Sequence, residues 1–161
     1  MNRQRKIAIL GIGIALYVVL STVVIIPLIS RIKLDLGYIV FGVLLAGLGP
    51  SAAIVGVAGC IISNLLKGGS LPIAWAIGQA FIGISLGCLL PRMKNIYLKV
   101  LISLIAVFIG IAIIKTALEI WMYHWPLYAK FTSNFVAFAA DGIALCIGVI
   151  LAPKIVLFKD R

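Results

Sequence analysis

The chain has 161 residues, of which 64% are hydrophobic and only 11% charged, and its net charge is +10. A water-soluble domain of this size leaves too much of itself exposed to hide that much apolar side chain, so a soluble fold is excluded and lipid is the expected solvent. The basic residues sit at the ends of apolar runs and not along one amphipathic face, which marks membrane topology and argues against a nucleic-acid surface.

The apolar runs are continuous and lack the alternating pattern of an outer-membrane barrel, so the predicted class is an all-α integral membrane protein. A first helix is predicted over 7–29, ending near Pro27. It is too long for the apolar core of a signal peptide and has no small-residue cleavage site, so it reads as a membrane helix. The polar loop Ser30-Arg31-Ile32-Lys33-Leu34-Asp35 follows. Helices over 37–48 and 51–66 flank a Gly49-Pro50 turn, and both are short against the roughly 20 residues of a full crossing. Lys67-Gly68-Gly69-Ser70 is a turn, and Pro72 opens a fourth helix over 72–90. Beyond the loop at Pro91, a fifth helix is predicted over 97–124 and a sixth over 133–158. The expectation is one six-transmembrane-helix bundle, a single membrane domain over 1–161.

Orientation follows from the distribution of Lys and Arg when both short helices cross. Arg3, Arg5, Lys6, Arg92, Lys94, Lys99, Lys154, Lys159 and Arg161 then share one side, against Arg31, Lys33, Lys67 and Lys130 on the other. Nine against four places both termini in the cytoplasm and the cluster Trp121-Met122-Tyr123-His124-Trp125 at the outer interface.

Cys60, Cys88 and Cys146 each lie inside an apolar run and read as small packing residues. With one histidine, His124, and no Cys-x-x-Cys spacing, no metal site is predicted. There is no nucleophile–base set and no phosphate-binding glycine loop, so the expectation is a non-enzyme that carries no cofactor and cannot hydrolyse ATP by itself. Gly11-x-Gly13 has no surrounding βαβ unit and reads as packing surface. Ala8, Gly11 and Ala15 make a smooth face suited to a helix of another protein.

Polar side chains at membrane depth cost free energy and call for a partner or a role. They are Asn64, Gln79, Lys115, Glu119, Asn134 and Asp141. Glu119 lies roughly 8 Å beneath the outer interface at 1.5 Å per residue, with Lys115 one turn deeper. Asn134, Phe138 and Asp141 form one stripe on the sixth helix, and Trp75 and Gln79 stand four apart on the fourth. Three helices thus present polar and aromatic stripes in the outer half, which predicts an outward-facing pocket for a small, flat, polar molecule. The structural alternative is that Lys115, Glu119 and Asp141 form a buried ion-pair set that fixes helix packing.

The basic start running into an Ala/Gly-rich helix (Ala8 to Ser21), the segment Ile32-Lys33-Leu34-Asp35-Leu36-Gly37-Tyr38-Ile39, the Gly47-Leu48-Gly49-Pro50 turn and the Gly-rich helix ending Ser63-Asn64-Leu65-Leu66 together resemble the substrate-binding S components of energy-coupling factor (ECF) vitamin transporters. The resemblance covers nearly the whole chain in size, helix count and orientation. It implies a multi-pass subunit of a bacterial or archaeal cell membrane that binds its substrate outside, docks on a transmembrane coupling subunit and is driven by two cytoplasmic ATPases. In that family an Ala-x-x-x-Ala pair on the first helix makes the dock; here the match is Gly11-x-x-x-Ala15, beside Ala8. Carried over, Lys33, Asp35, Lys67 and Ser70 would be lid residues, and Trp75, Gln79, Glu119, Trp121, Asn134, Phe138 and Asp141 would be pocket walls.

Two carboxylates with aromatic neighbours suit a flat heterocycle bearing an amine or amidine, such as a queuosine precursor or a thiamine-like or pyridoxine-like compound. Riboflavin-like and folate-like ligands stay open. The competing functions are a membrane assembly protein without ligand and an autonomous proton-coupled carrier resting on Glu119 and Asp141; the latter lacks visible inverted repeats or broken helices.

Overall fold

A computed structural model describes residues 2–23, 26–29 and 32–155, with 26–29 and 32–33 described by backbone alone. The elements run α1 (Arg3–Val23), β1 (Ile26–Ile29), β2 (Ile32–Leu34), α2 (Gly37–Leu48), α3 (Ala53–Leu66), α4 (Ile73–Leu89), α5 (Ile96–Val107), α6 (Thr116–Tyr123) and α7 (Leu127–Leu151). A π-helical segment, Phe108–Lys115, joins α5 to α6, so that 96–123 is one rod. Among the described residues five stretches are long and apolar enough to cross a membrane: Arg3–Val23, Gly37–Leu66, Ile73–Arg92, Ile96–Tyr123 and Leu127–Lys154. Arg31, Lys159 and Arg161 of the charge tally lie outside the described residues, as does the side chain of Lys33.

Two helix boundaries differ from expectation. The first helix stops at Val23, and residues 26–29 instead pair antiparallel with 32–34, Ile26 opposite Leu34 and Pro27 opposite Lys33. The cause is local: Pro27 cannot donate to a helix, it pushes the residue before it toward extended backbone, and the β-branched run preceding it favours the same conformation. The last helix starts at Leu127, not at 133, directly after Pro126, whose φ of −63° already suits a helix. It ends at Leu151 in a 3₁₀ turn containing Pro153, short of the expected 158.

Within the stretch Gly37–Leu66 the chain reverses at Gly49, whose φ of 71° is a left-handed value that glycine adopts without penalty. α3 then returns along the bundle, which brings Phe41 of α2 against Gly56 of α3 and sets Gly13 of α1 against both Leu44 and Val55. α2 packs most extensively on α7. That contact is a backbone-to-backbone approach: a Cβ added at Gly42 would strike the Leu145 carbonyl, and one added at Gly148 would strike the Ile39 carbonyl.

Tyr17, Tyr38, Phe41, Leu45, Ile82, Leu86, Ile111 and Leu145 fill the core, while Ile7, Ile12, Ile54, Ile84, Leu101 and Ile143 face outward. Large apolar side chains on the outside are the expected arrangement where lipid is the surrounding solvent. The β1–β2 hairpin, the α3–α4 turn and the α6–α7 turn gather at one end of the bundle, termed the hairpin end. At the opposite end the Gly49-Pro50 turn packs on Gly87 near the close of α4.

Candidate binding site

Two clefts open at the hairpin end. The first, of about 440 Å³, is lined by Tyr17, Asp35, Tyr38, Asn64, Lys67 and Trp75 among others. α1 delivers Tyr17 because it buries Ile9, Gly13, Tyr17 and Ser21, a strict four-residue spacing on one helix face. Tyr38 enters from the first turn of α2, with its ring centroid 6.2 Å from that of Tyr17. Asp35, just before α2, accepts hydrogen bonds from the Ser21 hydroxyl and, at 2.9 Å, from the Gly37 backbone N–H. Burial pushes the Asp35 carboxyl above its ordinary range, opposed by the Ser21 and Gly37 hydrogen bonds and by the charge of Lys67. These contacts tie the hairpin to the bundle at its root.

Behind Tyr38 lies a second tier of polar groups. The Gln79 amide N–H donates to the Tyr38 hydroxyl oxygen, and Asp141 of α7 faces both that hydroxyl and the Asp35 backbone. Gln79 and Asp141 are buried almost completely.

The second cleft, of about 710 Å³, is lined by Ser70, Trp75, Glu119, Tyr123, Trp125 and Lys130 among others. Trp75 lines both clefts and is the wall between them. Asn64, which also lines both, donates from its side-chain amide to the Ser70 carbonyl and so braces the α3–α4 turn.

A charged network stands behind this second cleft. Lys115 Nζ lies 3.4 Å from Glu119 Oε1 and donates to Asn134 Oδ1; the Asn134 amide donates to Thr116 Oγ1 and to Glu119 Oε2, each at 2.9 Å. Lys130 reaches Glu119 Oε2 at 3.7 Å. Two lysines therefore serve one carboxylate, and Lys115 directs its charge onto Trp75, 4.2 Å from the ring centroid. The π segment takes part in this arrangement. Its wider turn lets the Thr116 hydroxyl reach back to the Ile111 carbonyl five residues earlier, at 3.4 Å, while the same hydroxyl receives Asn134.

The predicted residues thus separate. Asp35, Lys67 and Trp75 line the first cleft, with Gln79 and Asp141 directly behind it; Ser70, Trp75 and Glu119 line the second, with Asn134 behind it. Two predicted wall residues do not join them. Trp121 is 76% exposed and lines neither cleft, since it stands two positions from Glu119 and so roughly 200° around the helix. Phe138 packs edge-on against Phe108 at 5.3 Å and against Phe135, and lines neither cleft. Lys115 and Glu119 pair, but neither salt bridge among the described residues includes Asp141, so the alternative of a three-membered ion-pair set does not form. Tyr17, Tyr38, Ser21, Thr116 and Lys130 are site residues that the sequence reading did not select. The two tyrosine hydroxyls, deep within apolar runs, were the available signal.

On the flank of the bundle Ala8, Gly11 and Ala15 are exposed on one face of α1, and nothing lies within 4 Å of a Cβ placed on Gly11. This smooth face borders an apolar groove between α1, α2 and the end of α7.

A family model described as ECF-type riboflavin transporter, S component, matches residues 1–157. The chain belongs to this S-component family. It is therefore a membrane transporter subunit of the substrate-binding class and not an enzyme. The fold agrees: the crystal structure of the S-component for biotin from an ECF-type ABC transporter superposes with a TM-score of 0.65 at 20% identity, over 96% of this chain and 93% of that one. Curated relatives are UPF0397 proteins of bacteria. The one from Lacticaseibacillus casei is 25% identical over 98% of this S component and 91% of its own length, and the one from Exiguobacterium is 26% identical over 91% and 85%. A Streptococcus agalactiae homologue is 23% identical over 91% and 87%.

Proposed function

We propose that this S component captures a small heterocyclic micronutrient, vitamin-like or queuosine-precursor-like, outside a bacterial cell and delivers it inward as the specificity subunit of an ECF-type ABC importer. All six helices cross the membrane in this reading, α2 and α3 included, with both termini cytoplasmic and the hairpin end facing out. One observation carries it: among the described residues, every buried charged or amide side chain (Gln79, Lys115, Glu119, Asn134, Asp141) gathers at or behind the two clefts at the hairpin end. Groups so costly in a membrane are supported there by a use, and a cleft divided by Trp75 supplies one.

In this reading the Asp35–Ser21 contact holds the hairpin as a lid over the first cleft, with Lys67 at its rim and Ser70 at the second cleft. Lys115 fixes Trp75 so that the ligand meets a preformed aromatic wall. The exposed face of Ala8, Gly11 and Ala15 docks on the transmembrane coupling subunit, where absence of bulk lets helix backbones approach. Two cytoplasmic ATPases bound to that subunit drive the cycle. The test is co-expression of the chain with the coupling subunit and ATPases of its own organism. Wild type should co-purify with them and support uptake, while Ala15→Leu should lose both at an unchanged melting temperature, because Ala15 is exposed. Full uptake by Ala15→Leu, or uptake without the ATPases, would refute the proposal.

A further inference from the structure

Lys115, Glu119 and Asn134 satisfy one another, but Gln79 and Asp141 do not satisfy themselves. Asp141 is 2% exposed and its Oδ1 has no hydrogen-bond partner; Gln79 is 1% exposed and its Oε1 has none. Buried acceptors left unpaired are rare and destabilising, so each calls for a partner. Both belong to side chains that converge on one hydroxyl, that of Tyr38.

Proton counting sets the direction of this chain once Asp141 is ionised. Tyr38 carries a single hydroxyl proton, and the Asp141 carboxylate then only accepts, so that proton goes to Asp141. The Gln79 amide must then offer its NH₂ to the phenolic oxygen, which turns Oε1 away as a free acceptor. That leaves Asp141 Oδ1 and Gln79 Oε1 as two unpaired oxygens behind a tyrosine that is itself part of the first cleft. Neither described salt bridge involves Asp141.

Resting on the S-component reading, we infer that the substrate presents a hydrogen-bond-donating edge, an amino or amidine group on an aromatic heterocycle, and that Asp141 Oδ1 and Gln79 Oε1 receive it when Tyr38 turns aside. Tyr38 is then the gate of a deeper subsite, and its ring and that of Tyr17 offer faces to the heterocycle. A substrate whose edge carries only acceptors would face two more acceptors and be rejected, which is how a site of this kind discriminates.

The test is isothermal titration calorimetry on the intact, detergent-solubilised chain with four probes. Thiamine and 7-aminomethyl-7-deazaguanine carry amino groups on aromatic heterocycles; riboflavin and biotin bear no primary amino group or amidine. At least one of the first pair should bind, and Asp141→Asn should weaken it tenfold or more. Gln79→Met, which keeps the length and removes both polar atoms, should weaken it comparably and serves if Asp141→Asn fails to accumulate. Binding of riboflavin or biotin that Asp141→Asn leaves unchanged overturns the donor class, as does failure of both amino-bearing probes to bind. If co-purification with the coupling subunit persists in either case, the S-component reading stands and only the substrate class has failed.

Discussion

Asn134 offers the sharpest test of the charged network, because its single amide makes three connections. It accepts from Lys115 and donates to Thr116 and Glu119, both at 2.9 Å. Hydrogen bonds between membrane helices contribute about 0.6 kcal/mol each on average, so deleting all three in Asn134→Ala should cost about 2 kcal/mol. For a chain of this size that corresponds to a fall of about 4–8 °C in melting temperature. Asn134→Asp is nearly isosteric and still accepts from Lys115, yet it turns both donations into oxygen facing oxygen, one of them the Glu119 carboxylate. It should therefore be less stable than Asn134→Ala at neutral pH and recover on acidification, when a proton restores a donor. The assay is thermal unfolding of the three proteins in one detergent between pH 5 and pH 8. An Asn134→Asp protein as stable as wild type throughout would show that the amide donors carry none of the network.

Gly148→Ala should destabilise by about 1–3 kcal/mol through overpacking, since its methyl would strike the Ile39 carbonyl, whereas Gly11→Ala should leave melting unchanged because its methyl meets nothing within 4 Å; equal effects would refute the close α2–α7 contact. Asp35 gives a pH dependence of known sign. Its folded pKa lies above the ordinary 3.8, so protonation favours the folded state: that contribution is complete below the ordinary value and is lost as pH rises through the folded one. Asp35→Asn retains an oxygen for Ser21 and Gly37, so its stability advantage over wild type should widen as pH climbs from 4 and then level off. A narrowing gap in paired melting curves would contradict this.

Much of the fold was legible because proline and glycine punctuate it. The helix over 37–48 ends where Gly49-Pro50 says it must, and the grouping of Gln79, Glu119, Asn134 and Asp141 toward one end of the bundle follows from counting residues. The β1–β2 hairpin was hidden inside an apolar run, where composition alone cannot separate strand from helix. Pairing was illegible for a different reason: Lys115 and Glu119 lie one turn apart on their rod, but which of Lys115, Glu119 and Asp141 meet depends on how α7 rotates against the rod and on the π segment that changes its register. Tyr17 and Tyr38 each count as apolar in a hydropathy pattern, yet their rings pack together in the first cleft and the Tyr38 hydroxyl receives Gln79. Trp121 illustrates the converse, a residue of the right type and depth set on the wrong face of its helix.

The central claim is that this S component holds one small molecule behind its hairpin. Native mass spectrometry of the chain, purified gently from cells grown in rich medium, tests it most directly. A molecule held there gives a single small-molecule adduct at one per chain, depleted in Trp75→Ala and Asp141→Asn. A bare mass for wild type that no change of detergent or growth medium alters, or an adduct that both substitutions leave intact, would contradict it.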